Sequence, residues 1–101
     1  MIRQIITQSK TPETEWFDPH VYRYWRNRIG FLQREGRILS REVLSETPCQ
    51  RVTQITWRDW ESYLDPLFDV AARPILDLEA RTNISNGINT EITAMEVPDV
   101  V

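Results

Sequence analysis

The chain has 101 residues and a formal net charge of −3, with 41% hydrophobic and 27% charged residues. That balance is ordinary for one folded domain with a modest core, and it excludes wholesale disorder. No apolar run approaches the roughly 18 residues of a membrane-spanning helix, and the start Met1-Ile2-Arg3-Gln4-Ile5-Ile6-Thr7 lacks the apolar stretch of a secretory signal.

Ile2 to Thr7 reads as a short strand, with Ile2 and Ile6 on one face and Ile5 on the other. Gln8 to Glu15 is polar and holds Thr11-Pro12, so it reads as a loop or arm. Asp18-Pro19 is a helix start, because Asp caps free N–H groups and Pro sits where no N–H is missed. Val21, Trp25, Ile29 and Leu32 then recur on one helical face, which predicts a helix over 19–35. An extended reading of the same stretch is the rival. Gly36 suits the left-handed cap that ends such a helix.

Ile38, Leu39, Val43 and Leu44 predict a strand over 37–45 whose mixed parity implies a bulge or two covered faces. Val52, Thr53, Ile55, Thr56 and Trp57 predict a second strand over 51–57, paired to the first through a turn at Pro48. Asp59 reads as the cap of a helical region over 57–72, either two short helices or one kinked at Pro66, in which Trp57, Trp60, Leu64, Leu67 and Phe68 supply much of the core. Leu76, Leu78 and Ala80 alternate with Asp77, Glu79 and Arg81, so 75–81 reads as a strand. Asn86-Gly87 between Ile84 and Ile88 reads as a hairpin turn, and Thr90 to Val101 as a polar tail. The whole is an α+β domain, with two helical segments on an antiparallel sheet; a mostly β domain is the alternative.

Chemistry is sparse. The three glycines are scattered, so there is no phosphate loop, and one Cys with one His makes no zinc pattern. His20 and Cys49 have no third orienting group in view, so no catalytic, metal or cofactor-binding residue is expected. Asp59, Glu61, Asp65 and Asp69 read as a solvated acidic face. The interleaved rings and cations of Tyr22 to Arg28 resemble a single-strand nucleic-acid platform, but the net acidity and the single lysine argue against one.

Contact surfaces are the stronger signal. Residues 1–58 hold ten Lys+Arg against six Asp+Glu, and residues 59–101 hold two against nine. The arginine-rich and tryptophan-rich stretch 23–60 has the residue types of binding hot spots. The reading that follows is a non-enzymatic structural subunit of a multi-copy assembly, such as a virion component, that contacts copies of itself and other assembly proteins. Arg23, Trp25, Arg26, Arg28, Arg34, Arg37 and Arg41 would meet Asp77, Glu79, Glu91 and Glu96 of a neighbour. A small acidic inhibitor of a host protein is the alternative.

Overall fold

The computed structural model describes residues 1–64, 70 and 72–98. Strands β1 (Ile2–Ser9), β2 (Ile38–Glu46), β3 (Gln50–Trp57) and β4 (Asn89–Glu96) form one antiparallel sheet in the order β2-β3-β1-β4. Helices α1 (Pro19–Arg34), α2 (Trp60–Tyr63) and α3 (Arg73–Asn86) complete an α+β domain. The expected fold class is therefore the observed one.

Helix α1 forms where the capping chemistry places it. The Asp18 carboxylate accepts from the His20 N–H at 2.8 Å, and Pro19 fills the first turn. Gly36, at φ +73°, closes the helix as the Arg37 N–H returns to the Leu32 carbonyl at 3.0 Å. The extended alternative for this stretch is excluded. The helix turns Leu32 onto Ile38 and Ile55, and Ile6, Ile29 and Trp57 pack around that cluster. Hydrophobic burial at this junction fixes α1 on one face of the sheet.

The hairpin β2–β3 closes through Thr47, whose hydroxyl accepts from the Gln50 N–H at 3.0 Å. Register shifts at Ile38/Ser40 and Val43/Ser45 mark two irregularities in β2. They account for the mixed parity of its apolar residues and leave Leu39 and Leu44 half-exposed. Along the inner face run Gln4, Ile6 and Gln8 of β1 opposite Ile55, Thr53 and Arg51 of β3.

Three sequence expectations are corrected. The span 75–81 is not a strand but lies inside α3. Pro74 opens that helix rather than ending the segment before it, and its donor-free nitrogen sits where no intrahelical bond is missed. Asn86-Gly87 is not a hairpin turn. Gly87, at φ +66°, caps α3, and the Ile88 N–H bonds the Asn83 carbonyl at 2.8 Å. The left-handed glycine of a tight hairpin and that of a helix cap share one backbone geometry. The tail from Thr90 is a strand over 89–96, held in register along the whole of β1. Of the helical region expected over 57–72, α2, capped by Asp59 as expected, and Val70 are helical among the described residues. Residues 65–69 and 71, and with them Leu67, Phe68, Asp65, Pro66 and Asp69, lie outside the described residues.

The core is also relocated. Ile2, Val21, Leu32, Ile38, Ile55, Ala72 and Ile88 are its buried apolar members, whereas Trp60 is 40% and Leu64 62% exposed. Helix α2 is a single turn, and Leu64 lies just beyond it. The polar segment after β1 is tied to its own chain. Lys10 donates to the Pro48 carbonyl at 2.8 Å, Thr14 to the Asn86 carbonyl at 2.9 Å, and the Asn86 amide to the Glu15 carbonyl at 2.9 Å. These bonds hold the segment against the β2–β3 turn and the C-terminal end of α3.

Candidate functional site

Between the inner face of the sheet and the helices lies a cavity of about 320 Å³. Its floor is Gln4, Ile6, Thr53 and Ile55 from the sheet. Trp25, Arg28, Ile29 and Leu32 of α1 form one wall, and Glu79 and Asn83 of α3 the other. Trp57 and Tyr63 stack edge to face, 5.7 Å between centroids, at the end nearest α2. Most of this lining is apolar, with a few fixed polar groups, the usual make-up of a small-molecule site.

Two tryptophans anchor those polar groups. The Trp57 indole N–H donates to the Gln4 side-chain oxygen at 2.9 Å, so the Gln4 amide is oriented from β3. The Trp25 indole N–H donates to Glu79 Oε2 at 2.7 Å. No other hydrogen bond or ion pair reaches Glu79 among the described residues. Burial pushes its carboxyl above the ordinary 4.5, and the Trp25 bond opposes that shift only in part. A carboxylate held by one oxygen in a partly dry site is a candidate proton acceptor.

A second recess of about 250 Å³ adjoins the first, sharing Phe17, Trp25, Ile29, Arg41 and Arg51 with it. Arg51 is 9% exposed and its guanidinium lies over the Phe17 ring, 5.1 Å from the centroid. Burial lowers its pKa from the ordinary 12.5, Glu46 opposes this, and the nearby Arg41 charge adds to it.

The residues expected at an interface are distributed as follows. Trp25 and Glu79 meet each other within one chain. Arg28 and Arg41 line the main cavity, and Arg26 the adjoining recess. Arg37 turns to the Ser62 carbonyl at 3.4 Å and to Glu35 at 3.9 Å. Arg23, Arg34, Asp77, Glu91 and Glu96 are exposed and not brought into the site. Reading the sequence for interfaces missed Gln4, Arg51, Trp57 and Tyr63 as cavity residues. The signal for Gln4 and Arg51 was a polar residue on the apolar face of an alternating strand. Cys49 is exposed, and among the described residues no three His, Cys, Asp or Glu side chains come together.

No family model matches the chain, and no curated protein matches it. Its fold is nevertheless found in solved structures. A Deinococcus radiodurans protein, provisionally named an antibiotic biosynthesis monooxygenase, overlays with a TM-score of 0.55 at 14% identity, covering 100% of this chain and 96% of that one. A second protein, named an antibiotic biosynthesis monooxygenase, gives 0.52 at 15% identity, over 98% and 100% of the two chains. A mutant of SnoaB from Streptomyces nogalater, described as a cofactor-independent oxygenase, gives 0.50 at 9% identity, over 99% and 96%. At these identities the likeness is one of fold. It overturns the expectation of a non-enzymatic virion subunit, and the acidic-inhibitor alternative with it. These three similar structures belong to proteins named as oxygenases.

Proposed function

We propose that this chain is a small oxygenase that takes a ring compound into the cavity between sheet and helices. The observation that carries the reading is Glu79, a half-buried carboxylate in an otherwise largely apolar cavity, fixed through one oxygen by Trp25. In this reading Glu79 is the base. Its carboxylate takes the proton of an acidic C–H or O–H on the substrate, leaving the substrate as an anion and Glu79 as the acid. An electron-rich anion is the form of an organic ring that gives electrons to dioxygen most readily. Trp25 positions the base, and the fixed Gln4 amide offers a hydrogen bond to the oxygen on which the anion's charge develops. The names of the structural neighbours support oxygen chemistry, and the carboxylate supports proton abstraction before it.

The test is dioxygen uptake in an oxygen electrode with a panel of two-ring phenols and ketones. Uptake should appear with at least one member and fall about 100-fold or more in Glu79→Gln, the usual scale for a general base. Glu79→Asp should retain part of it. Uptake unchanged in Glu79→Gln would remove the carboxylate from the reaction, and no uptake across the panel would count against an oxygenase.

A further inference from the structure

We propose that the recess formed by Arg26, Arg41 and Arg51 binds a carboxylate carried on the substrate's ring system. The inference rests on the reading of the adjoining cavity as the substrate site and narrows the substrate to an aromatic carboxylic acid.

The geometry is unusual for cations that serve only the fold. Arg26 and Gln33 come from α1, Arg41 from β2 and Arg51 from β3, so three separate elements bring guanidinium groups to one recess. Arg51 is buried, and its Nε has no hydrogen-bond partner among the described residues. Glu46 stands 3.5 Å from that nitrogen, outside hydrogen-bond geometry, and its own side chain is 53% exposed. Arg51 thus has one half-exposed ion-pair partner, and Arg26 and Arg41 have no hydrogen bond or ion pair among the described residues. A buried donor without an acceptor is destabilising, and like charges gathered at one recess add to that. An anion supplied from outside relieves both.

The shape selects among anions. A guanidinium presents a planar fork that a carboxylate matches with two parallel hydrogen bonds. Phe17 and Tyr22 line the same recess and are tilted against each other at 6.0 Å, a surface for a flat ring. The recess opens into the larger cavity through shared walls, so a ring bound by its carboxylate here extends toward Glu79. One end of the ligand is thus held by positive charge, and the other meets the base.

Isothermal titration calorimetry under nitrogen with 2-naphthoate and 2-naphthalenemethanol tests this without turnover. The two differ in charge and little in shape. The carboxylate should bind at least about tenfold more tightly, a difference that one charge-assisted hydrogen bond readily supplies. Added salt should weaken the carboxylate and leave the alcohol unchanged. Arg41→Gln and Arg26→Gln, both exposed positions that should fold normally, should each lose about three- to tenfold toward naphthoate only. Arg51→Met should lose the most, provided its melting curve shows a folded protein. Equal affinity for the two compounds overturns the proposal. So does wild-type affinity in both Arg41→Gln and Arg26→Gln, or competition by inorganic phosphate as strong as by naphthoate. Naphthoate binding without dioxygen uptake by any carboxylate sinks only the oxygenase reading, and uptake with no preference for carboxylates sinks only this one.

Discussion

Trp25 and Glu79 lie 54 positions apart, and a single 2.7 Å hydrogen bond joins them across the cavity. It ties α1 to α3 and fixes the one carboxylate that faces the apolar space among the described residues. Trp25→Phe keeps a ring in the wall and removes the donor. We expect a loss of about 1–3 kcal/mol in a denaturant melt, the usual range for a hydrogen bond to a charged group. In the oxygen-uptake assay the same variant should shift the pH profile to higher pH, because the bond that lowers the Glu79 pKa is gone.

Glu79 itself should be destabilising when ionised. Its folded pKa is raised by burial, so its contribution to stability is fully present below the ordinary 4.5 and is lost as pH rises through the folded value. Glu79→Gln retains an acceptor for Trp25 and carries no charge. It should therefore melt above the wild type at pH 7 and lose that advantage below pH 4.5. A variant that melts lower at pH 7 would show that the charge is compensated by a partner.

Asp59 behaves in the opposite sense. Bonds from Ser62 and Arg58 hold its carboxyl down at about 2, against an ordinary 3.8. Its capping contribution is present above 3.8 and is lost as pH falls toward 2. Asp59→Asn should flatten that part of the stability profile in acid-titrated thermal melts and leave the neutral region little changed, since Asn also caps.

The relocated core predicts a contrast between two apolar truncations. Ile55→Ala, at 5% exposure within the Leu32–Ile38 cluster, should cost about 2–5 kcal/mol. Trp60→Ala, at 40% exposure, should cost less than Ile55→Ala. Chemical denaturation of the two variants side by side checks the order, and the reverse order would restore Trp60 to the core.

Gly87→Ala should cost about 1 kcal/mol through backbone strain alone. The residue sits at φ +66°, and an added Cβ would meet nothing within 4 Å. Thermal melts should show this loss with the α3 cap otherwise intact.

Much of the architecture was legible because local chemistry and tertiary environment agree. Asp18-Pro19 and Gly36 bound α1 within a residue of where their chemistry places it, and Pro48 sits in the turn between two strands of β-branched residues. The misreadings have physical causes. Helix α3 buries no residue fully, so its pattern carries little helical periodicity, and Leu76, Leu78 and Ala80 imitate a strand. Residues 89–96 are polar because β4 lies at the sheet edge, where most of its side chains meet solvent. The site was the least visible part. Trp25 and Glu79 stood out as contact residues, but charge and ring content do not reveal which pairs face one another within a chain.

The strand order has a consequence for synthesis. β1 lies between β3 and β4 in the sheet, and of these four strands β1 is made before the others and β4 after them. Until β4 emerges, Ile2–Ser9 has one unpaired edge with Ile5 and Ile6 at its centre. Such an edge is a template for pairing with another chain. Pairing residues 2–9 with 89–96 also closes nearly the whole chain into one loop, which places this step late and makes it slow. A nascent chain stalled before residue 89 should therefore aggregate through its first strand, and a short peptide of the sequence of β4 supplied in trans should suppress it.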